Sequence, residues 1–188
     1  MALRGFMKTN ILSLYGAPSS GKSTQAARLY SKLKSQGKNA ELVREYAKDW
    51  AWEQRNIGHF DQIYFFGKQV RRESLLLRKV EWVITDSPVI ISLFYARKYC
   101  PPKIIAGLES VVKAYYDQVA LDGHKHIHVL LERVAPYQPA GRFQTEEQAN
   151  LIHLEMVEML NELSVPYKIC KGDDESVDIL CKDYFDAY

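Results

Sequence analysis

The residues best suited to chemistry lie in one short run, Gly16-Ala-Pro-Ser-Ser-Gly21-Lys22-Ser23, which has the spacing G-x-x-x-x-G-K-S and is followed by Thr24. A short apolar run, Asn10 to Tyr15, precedes it and helical spacing follows, which is the context this motif requires. Gly16 and Gly21 allow a tight turn that points successive backbone N–H groups at phosphate oxygens, and the positive end of the next helix adds to their attraction. Lys22 would reach the β- and γ-phosphates, and the Ser23 hydroxyl would bind Mg²⁺. Gly16, Ser19, Ser20, Gly21, Lys22, Ser23 and Thr24 are therefore the candidate residues for ATP with Mg²⁺.

Three kinds of nucleotide-handling protein share such a loop: kinases, GTPase switches, and ATP-driven motors or regulators. No N-K-x-D segment follows a later strand, which disfavours guanine reading. The strand ending at Thr85-Asp86-Ser87-Pro88 offers Asp86 for Mg²⁺ but no adjacent glutamate to activate water. A kinase fits best. Glu45 falls just past a second strand, at the carboxyl end of the expected sheet, where a carboxylate can take a proton from an attacking hydroxyl. Arg133 and Arg142 flank a Pro/Gly loop and would stabilise charge during phosphoryl transfer as that loop closes. Lys171 and Asp173, in a polar loop after the last strand, are candidates for the adenine side of the nucleotide site.

The acceptor pocket is expected between Glu45 and a helix beginning near Phe60. Trp50, Trp52, Phe60, Tyr64, Phe65 and Phe66 concentrate there, interleaved with Asp61, Gln62, Gln69, Arg71 and Arg72. Aromatic faces can stack a base, Gln can read its edge and Arg can hold a phosphate. Arg44, Tyr46, Phe60, Gln62, Phe65, Gln69 and Arg72 are the candidate acceptor contacts. The same set would suit a base extruded from DNA. His124, His126 and His128 alternate along a strand without further ligands spaced to complete a metal site, so they are expected at the strand's polar entrance.

These residues must be positioned by alternating strands and helices. Strands are expected at Asn10–Tyr15, Ala40–Val43, Glu81–Asp86, His126–Glu132 and Tyr167–Cys170. A long helix is expected from about Phe60 to Lys79, further helices over Ile90–Lys98 and Ile104–Val119, and a capping box at Thr145-Glu-Glu-Gln148 opening a helix to about Leu163. Such alternation predicts an α/β fold with a parallel sheet covered on both faces. At 188 residues the chain fits a single domain, 1–188, with residues 1–9 a flexible extension and residues 133–144 a lid. Apolar residues make up 47% and charged residues 26%, which excludes disordered and fibrous classes. The net charge of +2 gives no whole-molecule field for nucleic acid or membrane. No run approaches the ~20 apolar residues of a membrane span, and three scattered cysteines without CxxC read as reduced thiols of a cytoplasmic protein.

Four segments taken in order resemble the P-loop kinases related to the nicotinamide riboside kinase domain. They are Gly16 to Thr24, Arg44-Glu45-Tyr46, Ile84-Thr-Asp86-Ser87, and Leu130-Leu-Glu-Arg133 through Gly141-Arg142. The resemblance implies strand order 2-3-1-4-5, ATP with Mg²⁺, a lid around Arg142, and Glu45 and Asp86 facing the phosphate site. It extends to phage nucleotide kinases and to kinases of 5-hydroxymethyluracil in DNA, for which the site would be the host cytoplasm. The chain departs from the riboside kinase pattern at Pro139-Ala140-Gly141-Arg142 and at Asp86-Ser87-Pro88, where further acidic residues would be expected. The acceptor is therefore a nucleoside, a nucleotide or a base in DNA, and a nucleotide-dependent binding switch is the reading from another class.

Overall fold

Ile11, Leu12, Leu14 and Tyr15 have no exposed surface although successive side chains point to opposite faces. A strand buried on both sides belongs in the middle of a covered parallel sheet, and the computed structural model, which describes residues 7–140 and 142–185, places it there. The five strands are β1 (Asn10–Tyr15), β2 (Ala40–Val43), β3 (Trp82–Thr85), β4 (Lys125–Glu132) and β5 (Lys168–Lys171). All pair in parallel in the order β2-β3-β1-β4-β5, the order implied by the resemblance.

Helices α1 (Lys22–Ser35) and α7 (Asp174–Tyr184) cover one face, where Leu29, Leu33, Leu180 and Phe185 pack on Leu12, Leu14, Ile84 and Val129. The other face carries α3 (Asp61–Ser74), α4 (Ile90–Tyr99), α5 (Pro102–Leu121) and α6 (Glu146–Glu162), with Tyr15, Leu93, Phe94, Met156 and Leu160 at its centre. Pro102 sits in the first turn of α5, where its missing N–H costs nothing. Thr145 and Gln148 form the expected reciprocal cap on α6.

Two elements differ from expectation. The helix from Phe60 stops at Ser74, and the chain turns through Leu75–Lys79, with Arg78 at φ +65°. Leu76 and Leu77 are drawn against Ile11 and Val83, so packing overrides helical spacing. A short helix, α2 (Ala47–Trp52), stands where no element was expected. Of the expected extension 1–9, residues 1–6 lie outside the described residues. Thr9 is buried, its N–H donating to His124 Nδ1 at 3.0 Å and its hydroxyl to the Val80 carbonyl at 2.8 Å.

Candidate active site

The loop between β1 and α1 is shaped by its glycines. Gly16 has φ +145°, and a Cβ there would fall 2.4 Å from Ser20 Oγ; Gly21, at φ +89°, precedes the first turn of α1. No side chain caps that helix, so its first N–H groups remain directed at the loop, the arrangement that binds anions. The β5–α7 turn packs on the loop from outside, with Gly172 so near that a Cβ would lie 2.3 Å from the Ser20 carbonyl oxygen.

The loop opens into a cleft of about 690 Å³. Gly16, Ser19, Ser20, Gly21, Lys22, Ser23 and Thr24 line one end, and Glu45, Asp86 and Arg142 share the same cleft. Lys22 Nζ donates to the carbonyls of Gly16 (2.7 Å) and Ala17 (3.0 Å). Burial lowers the pKa of its ammonium, with Glu45 and Asp86 pulling the other way. The Glu45 carboxyl is raised by burial, and Lys22 offsets part of that shift. Asp86 Oδ1 accepts from the Glu45 backbone N–H at 2.8 Å, joining the ends of β2 and β3. The lid is tied to the loop by a hydrogen bond from the Gln138 N–H to Ser19 Oγ at 3.0 Å, and Arg142 Nε donates to the Gln138 carbonyl at 3.0 Å.

Beyond Glu45 the cleft continues past Ala47, Lys48, Ala51, Gln62, Phe65, Ile91 and Tyr95. Gln62 is only 4% exposed, and its amide has no hydrogen-bond partner among the described residues. Gln69 lies at the back, with its Nε2 3.4 Å from the Thr85 hydroxyl.

Several expected site residues stand elsewhere. Arg133 does not line the cleft: its Nη2 donates to Glu146 (3.0 Å) and Asn150 (2.6 Å), anchoring the lid to α6. Asp173 caps α7, its Oδ1 accepting from the Ser176 N–H at 3.0 Å, and Lys171 is exposed at the end of β5. It is the backbone of Gly172 that meets the phosphate loop. Phe60 is 63% exposed and outside the cleft. Arg44 and Arg72 border a separate hollow on the β2 side, where Arg72 donates to the Arg44 carbonyl and lies 4.9 Å from the Tyr46 ring. Tyr46 lines the back of the hollow beside Glu45 and Gln62, while its hydroxyl bonds that of Tyr64 at 2.8 Å.

His126 and His128 are not at a polar entrance. They face α5 beside Tyr115 and Tyr116, and burial pushes them down to about 3 and about 4. No group of three or more metal-ligating side chains occurs among the described residues. Lys48, Tyr95 and Tyr99 were missed. The i, i+4 spacing of the two tyrosines was a legible helical stripe, but nothing in it told a cleft wall from a core face.

Among solved structures the fold is similar to NadR in complex with NR, at a TM-score of 0.71 and 18% identity over 93% of this chain and 51% of that one. NadR with NAD and AMP-PNP gives 0.69 at 19% identity, over 93% and 49%. Deoxyadenosine kinase from M. mycoides with products dCMP and a flexible dCDP gives 0.57 at 15% identity, over 92% and 97%. These likenesses are of fold, and the chain spans about half the length of the NadR structures. No curated protein matches it significantly. A family model described as an AAA domain matches residues 12–176, from β1 through the start of α7, and the chain belongs to that P-loop family.

Proposed function

We propose that this chain is an ATP- and Mg²⁺-dependent kinase that transfers the γ-phosphate to a hydroxyl of a nucleoside or (deoxy)nucleotide. The observation that carries the reading is the shared cleft: the phosphate loop with Lys22 at one end, a raised carboxyl at Glu45 in the middle, and a mostly apolar hollow with the buried Gln62 beyond it. A hydrolase or a pure switch has no need of that third part. A neighbouring fold is a deoxyadenosine kinase, which supports the class without naming the acceptor.

The donor set suits the nucleotide and its metal. A cradle that a Cβ at Gly16 would fill fits phosphate, and the Ser23 hydroxyl with the Asp86 carboxylate supplies hard oxygen ligands, as Mg²⁺ prefers alongside phosphate and water. When bound, Mg²⁺ neutralises charge on the phosphates. Lys22 and Arg142 add positive charge on either side of the transferred group. Glu45 orients the acceptor hydroxyl and takes its proton as the oxygen bonds to the γ-phosphorus and ADP departs with the electrons of the broken P–O bond. The lid excludes water through its bond to Ser19.

A second reading has its own observation. Trp50, Tyr64 and Tyr46 form an outer aromatic ladder with Arg55, Lys68 and Arg72 over their rings, a surface on which a nucleic-acid strand could stack. The acceptor would then be the hydroxymethyl group of 5-hydroxymethyluracil in DNA.

The test is labelled ATP offered in parallel to free nucleosides, monophosphates and hydroxymethylated DNA. Label in a small molecule, abolished by Lys22→Ala, is the expected result. Label in DNA alone establishes the second reading, and ADP release with no labelled acceptor overturns both.

A further inference from the structure

The side chains that line the cleft beyond Glu45 differ in kind according to the element that supplies them. α4 contributes Ile91, Tyr95 and Tyr99, and α3 contributes Phe65, surfaces against which a nucleobase packs. α2 and the segment after it contribute Lys48, Gln54 and Arg55 instead. With Ala47 and Ala51 these follow the spacing of one helical face, so α2 turns a continuous face to the cleft and sets two cations on it.

Both cations are available to an anion. Lys48 makes no hydrogen bond or ion pair among the described residues. Burial is the largest influence on Lys22 and on Glu45, and Lys48 is among the charges that act on both, so it lies within reach of the point of transfer. Asp49, the acid next to it in the chain, lines the separate hollow on the β2 side. Arg55 is fixed by its backbone: the N–H groups of Gln54 and Arg55 donate to the carbonyls of Ala51 (3.2 Å) and Trp50 (3.0 Å), with Gln54 at φ +54°. Its Nε meets Glu53 at 2.6 Å, and its guanidinium lies 5.1 Å from the centre of the Trp50 ring. The two terminal nitrogens have no protein partner among the described residues, which leaves donors of the kind that grip phosphate oxygens.

A lysine held near Lys22 without a counter-charge costs free energy that a bound anion offsets. Lys22 and Arg142 serve the phosphates of the donor nucleotide, and a neutral nucleoside as acceptor would leave both cations of α2 idle. We propose that Lys48 and Arg55 form an anion subsite for the acceptor, which is a phosphate ester whose free hydroxyl meets Glu45 while its phosphate rests on α2. This names the substrate class within the kinase reading and rests on that reading. A free mononucleotide and a nucleotide within a single strand both carry such a phosphate, and the experiment separates them.

The test compares acceptors that share a free hydroxyl and differ by a phosphate. The pairs are deoxyadenosine with its 3′-monophosphate and 5-hydroxymethyldeoxyuridine with its 5′-monophosphate, alongside a single strand containing the latter. kcat/KM is measured for each at saturating Mg-ATP in the wild-type chain, Lys48→Gln and Arg55→Gln. The wild-type chain should prefer the monophosphate of a labelled pair about 10²-fold, mainly through KM, and each variant should cut that preference about tenfold. The preference is a ratio within one chain, so a general loss of activity cancels. No wild-type preference, or a ratio unchanged in either variant, overturns the proposal. An unchanged ratio is also what Lys48 acting on the transferred group would give, because both acceptors would then lose kcat alike. A strand labelled with a lower KM than its mononucleotide assigns the phosphate to a chain, and an unlabelled strand assigns it to the free nucleotide. If no acceptor is labelled, the kinase reading fails by itself, and calorimetric titration of the same pairs into the chain saturated with Mg-AMP-PNP decides the subsite. Tighter binding of a monophosphate than of its nucleoside, with the difference lost in Lys48→Gln, upholds the subsite; equal binding overturns it.

Discussion

Glu45 stands between opposing influences: burial favours its neutral form, while Lys22 favours its carboxylate. Burial prevails, so the acid limb of turnover should lie above the ordinary 4.5, with the rate falling as pH drops through that raised value. Glu45→Gln keeps the shape and removes the carboxylate proposed as the base. It should lower kcat about 10²- to 10⁴-fold with nucleotide affinity little changed, as measured by single-turnover transfer and direct ATP titration. Lost ATP binding with normal turnover of the bound fraction would remove Glu45 from the role. Gly172 makes a different demand, since a methyl there meets the Ser20 carbonyl oxygen at 2.3 Å, a backbone atom that moves only with the phosphate loop. Gly172→Ala should cost about 1–3 kcal/mol and weaken ATP binding together with stability. Calorimetry with and without Mg-ATP checks this; an unchanged Tm would contradict the contact.

At the scale of elements, the helix starts and the turn beside the phosphate loop do most of the positioning. The capping box on α6 holds the helix whose first residues, Glu146 and Asn150, grip Arg133 at the root of the lid. Thr145→Ala should cost about 1 kcal/mol in urea unfolding and fray that root first, which hydrogen exchange over the first turn of α6 would register. The sequence showed this helix plainly because its cap is local chemistry. It did not show α2, six residues long with no fully buried side chain, whose place depends on Trp50 packing edge-on against Phe65 of α3 at 4.9 Å. Lys48, Ala51 and the loop after α2 were missed with it. The overextension of α3 has the same origin: Leu75 to Leu77 suit a helix, and the sheet drew Leu76 and Leu77 against Ile11 and Val83.

Across the whole molecule, the buried titrating groups set opposite pH limits. His126 and His128 hold about 3 and about 4 against an ordinary 6.5, so below pH 6.5 the unfolded chain binds protons that the folded chain refuses. Stability from these two groups is present above 6.5 and is lost as pH falls toward their folded values. Glu73 acts in reverse: between 4.5 and about 8 the folded chain keeps a proton that the unfolded chain has released, so stability declines as pH rises through that window. His124, lowered by burial, joins the histidines, and Glu45, raised by burial, joins Glu73, so three groups against two give a rising slope below 6.5, and Glu73 gives a falling one above it. The Tm of the ligand-free chain should therefore peak near pH 6.5, and Glu73→Gln should lift the alkaline side by about 2–4 °C for each kcal/mol recovered. A profile in Glu73→Gln that still falls equally between 6.5 and 8 would contradict this account.

The sequence by itself determined the phosphate loop, the five strands, their parallel order through the resemblance, and the presence of Glu45 and Asp86 at strand ends. Apart from that order, each of these depends on local spacing: a glycine turn, an apolar run, a residue just past a strand. Only the tertiary structure decided which side chains share the cleft. Arg142 lines it and Arg133 does not; Gln62 and Phe65 line it and Phe60 does not. Within α3, neighbours differ by about 100° in direction, so which of them meets the cleft is set by how that helix packs on the sheet, while the two arginines are sorted by the path of the segment between β4 and α6. The alternating histidines make the same point in a strand. Their common face was evident from the period of two, but only the packing of α5 over that face made them part of a buried layer with Glu73.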